Sequence, residues 1–353
     1  MDFTWLAEEE SLSPVALTVL AQTVDPTDQG RLLWDIFMPR RDVDQTRIDS
    51  LTTQDVRITA DRREWNQRGR LINLVTPPRK RIEWIPIEAY FKIEEQEIND
   101  LLNEVRGNRD IFRTVVGARI PARTEMLAMA NWRRLEVDVF QAWINGQVTT
   151  MNPQSGTTYT IDYGFDANRY QTAGTAWNDG AVNAYNEFMA WWEDAYEACG
   201  PLAGAMMRLA TRNAIVADAP NPMPGASAAL TATITQVEQR IQDETGRPFR
   251  FYINENTVET YNDGGVARTS VKVFPAQKVA AVPAGESVGN VAFAPVSRAY
   301  ELTSQVPDAG VDLRGITIYH EVSNGGRELV VEGQFNPMPD PNEQVLYVID
   351  AGV

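Results

Sequence analysis

The chain has little of what most chemistry needs. Its 353 residues include one cysteine, Cys199, and one histidine, His320. A disulfide framework needs pairs of cysteines, and a Cys/His metal site needs several ligands, so neither is available within one subunit. A lone cysteine fits a reducing compartment. No apolar run approaches the roughly 18 residues of a membrane-spanning helix, and the opening MDFTWLAEEE carries acids where a secretory leader needs bases. Neither a membrane span nor a targeting segment is expected. Phosphate-cradling patterns of the GxxxxGK[ST] or GxGxxG type are absent, which removes motif support for nucleotide binding.

Positive charge is also scarce. Thirty-two basic residues face 48 acidic ones, a net charge of −16, which argues against a protein built to grip a nucleic-acid backbone. The basic residues that exist are concentrated. Between Thr52 and Arg81 stand Arg57, Arg62, Arg63, Arg68, Arg70, Arg79, Lys80 and Arg81, against Asp55, Asp61 and Glu64. That segment carries +5 and the remainder −21. A basic segment on an acidic body has three destinations: nucleic acid, its own body, or the acidic surface of an identical neighbour. Charge favours the two protein contacts.

What is present is apolar content of 43%, enough to bury a core across two or three lobes. The first fifty residues read as an arm, with a short helical pattern at Pro14 to Thr23 and large apolar anchors at Trp5, Trp34 and Phe37. With little core of their own, those anchors must pack on another lobe or another chain. From Asp55 to Phe91 two β-rich runs flank TPPRKR, which reads as a long loop with a basic tip. Helical patterns follow: IEEQEINDLLNEVRG, then IFRTVV, then Ala122 to Asn145, with Pro121 in its first turn and Gly146 at its exit. QVTTM and TTYTIDYGF form a strand pair. AVNAYNEFMAWWEDAYEACG and PLAGAMMRLATRNAIVAD read as two helices, and ALTATITQVEQRIQDETG as a third. PFRFYINENTVETYNDGGVARTSVKVFP reads as a hairpin turning at NDGG. KVAAVP and VAFAPV are short strands, GITIYHEV-SNGG-RELVVEGQF a second hairpin, and EQVLYVIDAGV a closing strand. The class is α+β without regular βαβ alternation.

Candidate catalytic groups are few. His320 lies in the alternating run ITIYHEV, where a histidine on a sheet face is the expected reading, and Cys199 ends an aromatic helix as a small packed hydrophobe. The acid clusters Glu8-Glu9-Glu10, Glu94-Glu95 and Glu193-Asp194 are adjacent in sequence, and adjacent residues on a helix do not face each other. Glu193 and Asp194 beside Trp191 and Trp192 leave one rival reading open, a carbohydrate-active enzyme or sugar-binding module. A packed aromatic core is the alternative for those tryptophans.

The order of features resembles the lambda-type phage major capsid proteins, the capsid E family, whose subunits have the Hong Kong 97 fold. The likeness is carried by WINGQVTTM leading into YTIDYGF with GTAW beyond, by NDGGVAR followed by VFPAQKVAAVP, and by the close FNPMPDPNEQVLYVI. It spans nearly the whole chain. The resemblance implies an N-terminal arm at 1–50, an E-loop at 51–91, and a peripheral domain at 92–168 and 308–339 with a spine helix at about 122–145. It further implies an axial domain at 169–307 and 340–353, and a peripheral sheet that takes in QVTTM, TIDYGF and RELVVEGQF. The implied function is a non-enzymatic shell subunit that self-assembles as hexamers and pentamers around the DNA of a tailed phage, without sequence-specific binding, cofactor or metal. A separate scaffolding protein and a portal, with a decoration protein as a further candidate, are the expected partners, with assembly in the host cytoplasm and a final place in the virion. Inter-subunit contacts are expected from Arg62, Arg63, Arg68, Arg70, Arg79, Lys80, Arg81, Trp5, Trp34 and Phe37. An encapsulin-like nanocompartment is the same-fold alternative.

Overall fold

The computed structural model describes residues 13–24, 32–43, 47–51, 79–83, 87–94, 109–151, 157–165, 167–177, 181–220, 232–261, 268–285, 287–296, 314–323, 326–339 and 348–352. In chain order the first elements are helices α1 (Pro14–Thr23) and α2 (Trp34–Phe37) and strands β1 (Arg40–Asp42) and β2 (Arg47–Leu51). Then come β3 (Arg79–Glu83), β4 (Ile87–Glu94), the long helix α3 (Arg109–Asn145), β5 (Gln147–Met151), β6 (Thr158–Asp162) and β7 (Tyr170–Thr172). The central part is α4 (Ala184–Cys199), β8 (Leu202–Met207), α5 (Leu209–Asp218), α6 (Ile234–Thr245) and β9 (Arg250–Ile253). The chain continues with β10 (Thr257–Tyr261), β11 (Arg268–Lys272), β12 (Lys278–Pro283), β13 (Gly289–Phe293), β14 (Gly315–Ser323), β15 (Gly326–Pro339) and β16 (Val348–Asp350).

Helix α3 is the axis of the first core. Its 37 residues span about 55 Å at 1.5 Å per residue. The expected start near Ala122 is corrected: IFRTVV is part of the same helix, and Pro121 lies inside it. A proline ring crowds the carbonyl four residues back, and here that residue is Gly117, the type freest to bend away. The helix ends where expected. Gly146 sits at φ +65°, and a side chain there would collide with the Tyr170 hydroxyl. Leu135, Val139, Phe140 and Trp143 are fully buried along it.

Against α3 lies a five-stranded sheet organised by β15. The first half of β15 runs between β14 and β4, both antiparallel to it, and its second half pairs with β13, which pairs in parallel with β1. The expected hairpin of β14 and β15 is present, with Ser323 opposite Gly326. Two expectations fail here. VAFAPV, placed with the axial part, contributes β13 to this sheet, because Phe293 packs on Trp34, Trp132 and Phe335 in the first core. Among the described residues QVTTM and TYTID do not join it; β5 and β6 pair with each other, as a separate ribbon.

The second core is a sheet in the order β7, β16, β12, β8, β9, with α4 and α6 packed into it. An interior strand, next to the edge strand β9, corrects another expectation. LAGAMM, read as the start of a helix after Pro201, is strand β8, buried on both faces. A short apolar run carries no period that separates strand from helix. Gly204 is decisive locally, since a Cβ there would sit 1.9 Å from the Arg250 carbonyl oxygen of neighbouring β9. PFRFYI likewise leaves the expected hairpin: β9 runs parallel to β8, and only β10 and β11 form the antiparallel pair. The helix after NPMPG begins at Ile234, held by a capping box between Thr233 and Gln236. Arg79 to Arg81, expected at a loop tip, form strand β3 opposite β2. The runs VRITA and RLINLV, and most of IEEQEINDLLNEVRG, fall outside the described residues; Ile93 and Glu94 at the start of that run belong to strand β4.

Candidate assembly surface and the anchoring of the arm

The aromatic anchors of the arm are turned inward. Trp34 is 4% exposed and Phe37 2% exposed within their own chain. Trp34 stacks on Trp132 of α3 at 5.7 Å, and Phe37 meets Trp143 at 5.2 Å and the Tyr252 ring edge at 6.1 Å. Their assignment as contacts to a neighbouring subunit is therefore corrected. The need for a partner was real, and the partner is the chain's own long helix, which has apolar side chains around much of its circumference. Trp5, Arg62, Arg63, Arg68 and Arg70 lie outside the described residues. For Arg79, Lys80 and Arg81 the structure describes the backbone of β3.

A buried carboxylate, missed in the sequence, fixes α2 in place. Glu136 of α3 is fully buried, and its two oxygens accept hydrogen bonds from Leu33 N at 3.0 and 3.1 Å. Trp34 N donates at 2.8 Å and Asn256 Nδ2 at 3.0 Å. The Leu33 and Trp34 amides lie at the start of α2, so an acid satisfies donors that a helix start leaves without partners. Burial pushes the Glu136 carboxyl up, against the lowering effect of the Leu33, Asn256 and Trp34 donors. A signal existed: Glu136 stands one turn from Trp132 and Phe140 on the apolar stripe, where an unpaired charge has no place.

Two residues on, Asp138 is also buried, pushed up to about 6 by burial and held back by Arg134, whose guanidinium lies 2.7 Å away. Tyr163 packs nearby and donates from its hydroxyl to the Pro337 carbonyl at 2.7 Å, which ties the end of the β5 and β6 ribbon to β15. Burial, then the Asp138 charge, raise the Tyr163 hydroxyl well above its ordinary value.

Among the described residues, none of the expected chemical candidates forms a reaction centre; Glu8, Glu9, Glu10 and Glu95 lie outside them. Trp191 and Trp192 are 2% and 0% exposed, packed with Phe188, Phe249 and Phe251, so they offer no platform to a sugar ring. Glu193 and Asp194 point outward on α4, exposed, beyond that core. The carbohydrate reading loses its geometric basis. Burial pushes the Cys199 thiol up to about 11, against Arg169 beside it, which keeps it a thiol at neutral pH. His320 lies in β14 opposite Leu329. Among the described residues, no group of three His, Cys, Asp or Glu is placed to hold a metal, and no helix is long and apolar enough to cross a membrane.

The described residues form a long helix laid across a mostly antiparallel sheet, a second core, and three two-stranded ribbons. The chain belongs to the family described as phage major capsid protein E, which it matches over residues 14–346. It is a capsid shell protein with a mixed α+β fold of the Hong Kong 97 type. It is similar in fold to a prophage protein of E. coli CFT073 described as a capsid protein, with a TM-score of 0.52 and 10% identity, covering 94% of this chain and 96% of that one. The procapsid of satellite phage P4 gives a TM-score of 0.45 at 11% identity, covering 99% and 95%. The capsid of Myoviridae phage XM1 gives 0.45 at 10% identity, covering 83% and 82%. No curated protein matches the sequence.

Proposed function

We propose that this chain assembles with copies of itself, as hexamers and pentamers, into the icosahedral head shell that encloses the double-stranded genome of a tailed phage, and that it catalyses nothing. The family match over residues 14–346 carries the reading. The −16 net charge supports it, because an acidic wall does not adsorb packaged DNA tightly. Assembly takes place in the host cytoplasm with a separate scaffolding protein and a portal, and a decoration protein is a further candidate partner. Residues 1–50 serve as the arm and 51–91 as the E-loop. The peripheral part comprises 92–168 and 308–339 together with β13, on which β1 of the arm pairs, and the axial part the remainder from 169. The basic residues Arg62, Arg63, Arg68, Arg70, Arg79, Lys80 and Arg81 clamp an acidic neighbour.

Light scattering and negative-stain microscopy of the purified chain, with scaffold supplied, test this reading. Closed shells are expected, and a strictly monomeric protein under those conditions overturns it. Reversing Arg79, Lys80 and Arg81 to glutamate is expected to abolish or misdirect shells while circular dichroism stays native. Normal shells from that variant remove the electrostatic clamp.

A further inference from the structure

The outer side of β14 is occupied by side chains. Strand β14 pairs on one side with β15, and its other side faces α1. Backbone groups of adjacent residues point to opposite edges of a strand, so Ile316 and Ile318 present theirs to the same side. Both are taken: Ile318 N donates to Thr18 Oγ1 at 3.0 Å, and Gln22 Nε2 donates to Ile316 O at 3.0 Å. Thr18 and Gln22 are one helical turn apart on α1, the spacing that puts a hydroxyl acceptor and an amide donor on one face. A carbonyl at one residue and an N–H two residues on is the pair that an added strand would engage. Helix α1 thus supplies the acceptor and donor of a missing strand, while Leu17 and Ala21 bury the same face in the first core.

The second sheet repeats the device. Its outer strand β9 lies at the end of the order β7, β16, β12, β8, β9, and Phe251 N donates to Glu238 Oε1 of α6 at 2.9 Å. Two unrelated helices therefore spend side-chain hydrogen bonds on outward strand groups. An open sheet edge is a template for another chain.

We propose that α1 is an edge guard, with Thr18 and Gln22 withholding the outward groups of β14 from the same edge of a second copy of this chain. The occupant excluded is specific, because the edge is self-complementary. In an antiparallel pair centred on Thr317, Ile316 O of each copy would accept from Ile318 N of the other, joining two sheets about a two-fold axis. Every subunit of a shell carries this edge at high local concentration, so an unguarded edge would fuse sheets in competition with ordered assembly.

The test uses the full-length chain below its assembly concentration, so its outcome is independent of whether shells form. T18V/Q22L keeps the volume and apolar packing of α1 and removes both hydrogen bonds; T18S keeps the acceptor and serves as control. Hydrogen exchange at Ile318 N is expected to quicken at least tenfold in monomeric T18V/Q22L, and raising the concentration is expected to give dimers or larger species in light scattering. A fluorescent synthetic peptide of residues 315–323 is expected to bind that variant and not the native chain. Unchanged exchange overturns the proposal, as does quickened exchange without association or peptide binding, and so does equal binding of the peptide to the native chain. If T18V/Q22L does not fold, the single variant T18V carries the same exchange measurement at Ile318.

Discussion

Around α3 the chain gathers side chains from Leu17 through to Val348, whereas the second core draws on Trp177 to Ala281 plus the closing strand. Their chemistry differs as much as their reach. The second core is an aromatic pile, Phe188 with Trp192, Phe249 and Phe251, and the buried polar groups it touches are few. The first core has an aromatic pile of its own, Trp34, Trp132, Phe293 and Phe335, but buries Asn131, Glu136 and Asp138 on the same helix. Apolar packing is tolerant of direction, so a core assembled from nearby sequence needs little else. A core that must hold an arm a hundred residues away in sequence gains position from directional hydrogen bonds, and Glu136 supplies them to Leu33 and Trp34.

The contrast can be broken or sharpened by four substitutions. The largest effect is expected from Phe188→Ala. It opens a cavity where five aromatic rings meet, and urea unfolding should show a loss of about 3–5 kcal/mol. Next is Glu136→Ala, which strands the Leu33 and Trp34 amides, removes one partner of Asn256, and should cost about 3 kcal/mol. Limited proteolysis of that variant should cut between residues 32 and 43 while the second core stays resistant. Equal release of both regions would show that the carboxylate does not act on the arm in particular.

Asp138→Asn probes pH. The folded-state carboxyl is raised to about 6, above its ordinary value, so the fold favours the protonated form. Its contribution is greatest below the unfolded value near 4 and is lost as pH rises through about 6. Native stability measured against the variant should fall by on the order of 3 kcal/mol across that window. A difference that is flat with pH would contradict the buried environment. Glu255 runs the other way. Burial opposes the shift, but hydrogen bonds from Arg208, Leu209 N and Lys272 hold it at about 2, so its contribution persists above the ordinary carboxylate range. The smallest effect is expected at the ribbon. Thr160→Val removes the exposed cross-strand hydroxyl contact with Thr149, 3.3 Å, and should cost about 0.5 kcal/mol in thermal melts.

Much of the architecture was legible where a local pattern decides the outcome. Gly146 ends α3 because a glycine exit follows from backbone sterics alone, and the β14 and β15 hairpin is announced by two alternating runs around a short polar turn. Pro121 misled for the same reason, since local rules place it at a helix start and the tertiary packing of Ile120, Leu127 and Ala128 kept the helix running through it. Thr18 and Gln22 had no local signature at all. Their partners are about three hundred residues away.

By itself the sequence determined the α+β class, the lack of Cys and His in the numbers a metal site within one subunit needs, and the charge asymmetry between residues 52–81 and the rest. Each depends only on which residues exist and how they alternate. Tertiary structure alone decided that LAGAMM is an interior strand, that Trp34 and Phe37 face inward, and that Glu136 holds the arm. Those outcomes depend on what lies across a sheet or beneath a helix, and a side chain's energy there is set by neighbours far along the chain that no local pattern names. The aromatic anchors show the difference most directly: composition required that they be covered, and only the long helix determined by what.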